Sequence, residues 1–135
     1  MKRVFVDTNV VIDFLDKRAG FYKDAMDIFT KAYYQEIEIY ISPVTFATAS
    51  YLLRKHGKEE LRQLLSNLRK LISVTYCDDT VIDNSIASDF DDFEDAMQYY
   101  SALKSKAVVI ITRNVKDFAK STIKVITPSE FLSEL

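Results

Sequence analysis

Apolar residues follow two rhythms along this chain. Val4-Phe5-Val6 and Ala107-Val108-Val109-Ile110-Ile111 are short, unbroken and rich in β-branched residues. Runs of that kind belong to strands buried on both faces. Glu38 to Ile41, Ile72 to Tyr76 and Lys124 to Ile126 read as three further strands. Between the runs, apolar positions recur at helical spacing. They do so over Val10 to Leu15, then over Phe21, Ala25, Ile28, Phe29 and Ala32 to about Gln35. A third helix runs from Pro43 through Leu53 and stops near Gly57, and a fourth carries Leu61, Leu64, Leu65 and Leu68. Val81, Ile82 and Ile86 suggest a short one, and Ala96, Tyr99, Tyr100 and Leu103 the buried face of another. Thr127-Pro128 starts a terminal helix to Leu135.

Punctuation supports these boundaries. Asn9 is a suitable N-cap for the first helix, and Gly20 a suitable C-terminal cap. Ser42-Pro43 fits a helix start. Asp92 fits another, with Glu94 and Asp95 in a first turn where the macrodipole favours acids. Strands alternating with helices predict an α/β fold, a three-layer α/β/α sandwich around a parallel sheet of about five strands. One domain spanning 1–135 accommodates it, with no internal repeat or linker.

Composition narrows the picture. The 135 residues are 48% hydrophobic and 28% charged, which excludes a disordered chain. A single cysteine, Cys77, excludes an internal disulfide and fits a reducing compartment. No apolar run approaches the roughly 20 residues of a membrane span, and a strand at the N-terminus argues against a signal peptide. A cytoplasmic location is therefore expected, with no membrane association. Two glycines cannot build a Gly-rich phosphate loop. The net charge of −2 is unevenly spread. Acids occur without Lys or Arg from Leu71 to Leu103, whereas Arg54 to Lys70 is mainly basic.

The chemistry-bearing residues sit at element ends. Asp7-Thr8-Asn9 follows the first strand, Asp92 and Asp95 open a helix, and Thr112-Arg113-Asn114 with Asp117 follows Ile111. In an open parallel sheet, ligands bind outside the carboxyl ends of the strands. Two carboxylates about 4 Å apart repel by roughly 4 kcal/mol at an effective dielectric near 20. Such a cluster holds protons at raised pKa or binds a cation. Oxygen ligands without His or Cys select Mg²⁺ or Mn²⁺. Arg113 and Lys116 flank the acids and suit phosphate contacts. Capping alone is the plainer account of Asp92 and Asp95.

Three segments together resemble the signatures of the PIN domain family. They are Val-Phe-Val-Asp7-Thr8-Asn9, Asp92-Phe93-Glu94-Asp95-Ala96, and Ile111 to Phe118 with Thr112, Asn114 and Asp117. The order, spacing and chain length match throughout. The resemblance implies an Mg²⁺- or Mn²⁺-dependent ribonuclease, often the toxin half of a VapBC-type toxin–antitoxin pair. It therefore implies an RNA substrate, a cognate antitoxin and frequent homodimers. Asp7 matches the family's first acid and Asp95 its third. The last acidic position falls on Asn114 and Asp117, so Asp7, Asp95 and Asp117 are the catalytic candidates. With Asn114 they are also the metal-ligand candidates. Thr8 and Thr112 match the orienting hydroxyls, and Asn9 the amide of the first motif.

One departure stands out. The family's second acid, usually Glu, belongs in the helix after the second strand. There the chain reads Ser42-Pro43-Val44-Thr45-Phe46-Ala47-Thr48, so Thr48 stands at the acid's position. Asn114 is neutral as well. Fewer carboxylates mean weaker metal binding, unless Asp92, Glu94 or Asp13 compensates. Two functions follow as alternatives: a metal-dependent endoribonuclease, or a catalytically weakened or inactive PIN module that binds RNA or a protein. A receiver-type phosphotransfer domain also places Asp at a strand end. It fits poorly, because Ile111 leads into Thr-Arg-Asn and not into lysine.

Overall fold

β1, Lys2–Val6, runs through the centre of a five-stranded sheet in the computed structural model, which describes residues 1–134. β2 (Ile37–Ile41), β3 (Ile72–Val74), β4 (Val109–Ile111) and β5 (Lys124–Ile126) complete it in the order β3-β2-β1-β4-β5. All four pairings are parallel. Among the described residues seven α-helices cover the faces: α1 Thr8–Leu15, α2 Tyr22–Tyr33, α3 Pro43–Leu52, α4 Lys58–Arg69, α5 Asp79–Ala87, α6 Phe93–Lys104 and α7 Pro128–Ser133. The expected three-layer α/β/α sandwich is thus borne out. The expected end of α7 at Leu135 lies outside the described residues.

The unbroken apolar runs follow from this layering. Side chains alternate across a strand, and here both faces are covered. Val4, Val6, Ile39, Ile41, Val109 and Ile111 pack on one side with Val11, Leu15, Ile28, Phe29 and Leu68. Phe5 and Ile110 face the other side, against Tyr99, Ala102 and Phe118. Removing such side chains from water is the main favourable term holding the layers together.

Several boundaries differ from the sequence reading. α1 starts at Thr8, so Asp7 and not Asn9 occupies the N-cap position, yet the Asp7 side chain makes no capping bond. Its carboxylate is engaged elsewhere. α1 ends at Leu15, well before Gly20, which lies in the following turn at φ 86°. β4 begins at Val109, because the Ala107 N–H donates to the Ala102 carbonyl and finishes α6. β3 stops at Val74. Ser42, Asp92 and Thr127 do cap α3, α6 and α7, with Pro43 and Pro128 just inside α3 and α7.

The strand order reverses at β1, whose neighbours are β2 and β4. A crevice opens at such a switch point, outside the carboxyl ends of the strands. The register Val6↔Ile111 sets the residues that follow, Asp7 and Thr112, side by side. Among the described residues no helix is long and apolar enough to cross a membrane.

Candidate metal and partner-binding cleft

Asp7 leaves β1 and turns its carboxylate into the crevice, where it is only 7% exposed. Thr112, fully buried at the end of β4, donates its hydroxyl to Asp7 Oδ2 at 2.8 Å. Gln98 from α6 donates Nε2 to Asp7 Oδ1 at 3.1 Å. Burial pushes the Asp7 carboxyl up, against the hydrogen bonds from Gln98, Thr112 and the Thr8 backbone. Repulsion from Asp117 adds to the rise. Asn9 braces the arrangement: its Nδ2 donates to Thr112 Oγ1, and its Oδ1 accepts from the Arg113 backbone. The Asn114 N–H also donates to Thr112 Oγ1, at 3.1 Å.

α3 and α6 meet beside Asp7 through paired polar side chains. Thr45, Thr48 and Leu52 fall on one face of α3 by helical spacing. Glu94 and Gln98 are one turn apart on α6. The upper pair is Thr45 and Gln98, with Nε2 at 3.1 Å from Thr45 Oγ1, and Thr8 joins it through its own hydroxyl at 2.7 Å from Thr45. In the lower pair, Thr48 donates its hydroxyl to Glu94 Oε1 at 3.2 Å. Gln98 Nε2 also lies 3.2 Å from Thr8 Oγ1, so two N–H bonds are shared among three oxygens. Among the described residues the Gln98 Oε1 has no partner, although the residue is 1% exposed. An unsatisfied buried carbonyl costs about 1–3 kcal/mol.

Asp7, Thr8, Asn9, Asp92, Glu94, Asp95, Gln98, Asn114 and Asp117 line one cleft of about 330 Å³, with Arg18, Ile12 and Leu52 on its wall. Asp92 caps α6 through the Asp95 N–H at 2.9 Å, so it both caps and faces the cleft. Asp95 is half-buried, and its carboxyl is pushed up to about 7. Burial is the largest cause, followed by the charges of Asp92, Asp7, Asp117 and Glu94. Asp117 reaches the cleft from a 3₁₀ turn, Val115–Phe118, anchored by buried Phe118.

The two basic residues expected at phosphate are placed apart. Arg113 turns away and grips Asp13, with Nε at 2.7 Å from Oδ2 and Nη2 at 3.2 Å from Oδ1. Its guanidinium also stacks 4.0 Å over the Phe21 ring. It lines a separate hollow of about 500 Å³ with Phe21, Asn114 and Pro128. Lys116 lies in a small groove of about 140 Å³ that shares Asp92, Asp95 and Asp117 with the main cleft.

Oxygen donors alone suit a hard cation such as Mg²⁺ or Mn²⁺, and the mutual repulsion asks for one. The count falls short. Among the described residues, no three His, Cys, Asp or Glu side chains stand together so as to hold an ion. Position 48 offers a hydroxyl and position 114 an amide, both neutral. The side chains present therefore do not form the metal cage that the resemblance implies.

Gln98 and Thr45 were not singled out from sequence. The signal was present: Gln98 is a polar residue three positions after Asp95, between the buried Ala96 and Tyr99. Arg18 gave no such signal, since it lies in the loop after α1.

Comparison with known proteins agrees with the fold. Ribonuclease VapC1 from Aquifex aeolicus is 25% identical over 96% of this chain and 93% of its own length. A toxin–antitoxin complex from Klebsiella pneumoniae contains a chain that superimposes with a TM-score of 0.71 at 22% identity, covering 93% of this chain and 97% of that one. VapC20 from Mycobacterium tuberculosis, a sarcin-ricin loop cleaving toxin, superimposes at 0.70 and 14% identity, over 90% and 98%. These structures share the fold. The PIN domain family profile matches residues 3–116, and with the sheet order, the cleft at β1 and β4 and the strand-end acids, it establishes that this chain belongs to the PIN domain family.

Proposed function

We propose that this chain is a single-domain, VapC-like toxin-type PIN module with weakened catalysis, whose acidic cleft seats a basic segment of an antitoxin-like partner protein. The observation that carries this reading is the shortage of convergent ligands in a cleft lined by Asp7, Asp92, Glu94, Asp95 and Asp117. Without a full complement of metal, such a cleft repels phosphate and attracts cations. Carboxylates that repel one another are relieved by a positive side chain entering between them. A guanidinium, planar and multiply donating, suits a pair of carboxylates. Leu52 on the wall and Phe93 nearby, 47% exposed, offer apolar contact for the neighbouring residues of such a segment.

A second reading, an active Mg²⁺- or Mn²⁺-dependent endoribonuclease, draws on one observation. The Asp7, Thr8, Asn9 and Thr112 constellation is ordered and complete on the β1–β4 side of the cleft.

One experiment decides between them. Single-stranded RNA is incubated with the purified chain and millimolar Mn²⁺, beside Asp7→Asn. In parallel, an arginine-rich peptide is titrated into both. The expected result is RNA cleavage near background for both proteins. Peptide binding should weaken with salt and weaken further in Asp7→Asn. Robust wild-type turnover that disappears in Asp7→Asn would establish the nuclease instead.

A further inference from the structure

Arg113 and Phe21 form a flat platform on the wall of the hollow beside the acidic cleft. The guanidinium lies 4.0 Å over the Phe21 ring. Asp13, 1% exposed, fixes the guanidinium plane by accepting from Nε and Nη2. Phe21 stays 45% exposed although large and apolar. The hollow holds about 500 Å³, within the roughly 300–1,000 Å³ of small-molecule sites. Asp24, Asn114 and Ser129 add polar side chains to its lining. Asn114 also borders the cleft, so the two spaces adjoin. We propose that this hollow binds a guanine base, stacked on the Arg113–Phe21 platform and selected by Asp24. The proposal goes beyond the partner-binding reading of the cleft and does not depend on it.

The platform sets the shape of the ligand. Planar bases stack on aromatic rings and on guanidinium planes. A cation held against a π face attracts its electron density, so the platform favours a large, electron-rich ring system over a small one. Charge sets a further limit. Asp13 and Asp24 outnumber Arg113 in the lining, and Asp13 already holds two of the guanidinium N–H groups. The hollow therefore disfavours an anion bound as such, and suits a neutral ring that offers hydrogen-bond donors.

Asp24 selects among the bases. It is half-buried in the first turn of α2, and the adjacent Lys23 is engaged by Asp27 at 2.9 Å instead. An ionised carboxylate only accepts hydrogen bonds, through two oxygens side by side. Guanine alone presents two adjacent donors, N1–H and the 2-amino group, on its Watson–Crick edge. Adenine and cytosine set an unprotonated ring nitrogen beside their amino group. Uracil flanks its one N–H with carbonyls. Each of those three turns an acceptor toward the carboxylate. The Asn114 amide and the Ser129 hydroxyl supply donors of the kind that guanine O6 and N7 accept.

The test is calorimetric titration of GMP into the full chain without divalent metal, beside IMP, AMP, CMP and UMP. IMP is GMP without the 2-amino group. GMP should bind about tenfold more tightly than IMP or better, ~1.4 kcal/mol per decade, and more tightly than the other three. Asp24→Asn should bring GMP down to the level of IMP. Phe21→Leu keeps apolar bulk but removes the ring, and should weaken GMP and IMP alike. Thermal melting confirms that each variant folds, and Arg113 is left in place because it pairs with buried Asp13. Two sources of the base are separated by titrating a uridine hexanucleotide with and without one central guanosine. Preference for the guanosine strand assigns the site to single-stranded RNA, and GMP binding without that preference assigns it to a free nucleotide. Either result supports the site. Equal affinity of wild type for GMP and IMP overturns it. So does a GMP preference that survives Asp24→Asn, or no binding of GMP and of the guanosine strand. Uptake of the arginine-rich peptide is read separately, so the partner-binding reading stands or falls on its own.

Discussion

Arg113→Ala is expected to destabilise the fold by about 3 kcal/mol, at the lower end of the roughly 3–5 kcal/mol seen when one partner of a buried ion pair is removed. The reason lies in Asp13. Its side chain is 1% exposed in the middle of α1, and Arg113 supplies both short contacts to it. Without Arg113, Asp13 keeps only Arg18 at 3.9 Å. That remaining contact is what places the effect at the lower end. Arg113 also loses its stacking on Phe21, at 4.0 Å. Lysine restores charge but not the forked geometry, so Arg113→Lys should recover less than half of the loss.

The control removes both charges. Pairing Arg113→Leu with Asp13→Leu leaves no buried ion without a partner, and apolar replacement of a whole pair is often close to neutral. The double variant should therefore be more stable than Arg113→Ala alone. Urea denaturation measures this, with an unchanged slope showing that the same surface is exposed on unfolding. A change below about 0.5 kcal/mol for Arg113→Ala, the level of an ordinary surface substitution, would mean that the guanidinium is free to meet phosphate, as its place in the sequence suggests.

That contrast shows what can be read from the chain and what cannot. The layering was legible because strands buried on both faces leave unbroken apolar runs, as at Val4 to Val6 and Val109 to Ile111. The ends of those strands were legible too, since a run stops where polar residues begin. Asp7, Asp95 and Asp117 share a cleft because parallel strands and the α6 cap deliver them to the same edge. Pairings between distant side chains were not legible. Nothing local says that Arg113 turns to Asp13, 100 residues earlier, or that Thr48 meets Glu94. Those contacts depend on which faces of α1, α3 and α6 oppose one another, a tertiary fact. Asn9 illustrates the same limit on a smaller scale. Its side chain suits an N-cap, but α1 begins at Thr8, two residues earlier than an Asn9 cap would give, and the amide is drawn into the Thr112 network instead.

Asp95→Asn is expected to stabilise the metal-free protein at pH 8 by about 2 kcal/mol and to leave it unchanged near pH 4. Asp95 is held at about 7, against an ordinary value of 3.8, first by burial and then by the four acids around it. Between those two values the folded state keeps a proton that the unfolded chain has released. Stability contributed by this group is therefore full below 3.8 and lost as pH rises through about 7. At 1.36 kcal/mol per unit, the gap sets a ceiling of roughly 4 kcal/mol. Asp95 is only half-buried, and solvent screening reduces the ceiling to about 2 kcal/mol. Asparagine keeps the shape, does not ionise, and leaves the Asp92 cap intact, because that bond uses the Asp95 backbone N–H. Asp7 is raised in the same direction, so some slope persists in the variant. The difference between the two stability curves, measured by urea denaturation from pH 4 to 8, isolates Asp95. Parallel curves would show that the acids are too far apart or too well solvated to repel. Stability gained by neutralising Asp95 is stability that the native sequence gives up to keep the charge there. A charge kept at such a cost in an already acidic cleft fits a site where a cation, whether a metal or a partner's side chain, is the normal neighbour, beside the favourable place of an acid in the first turn of α6.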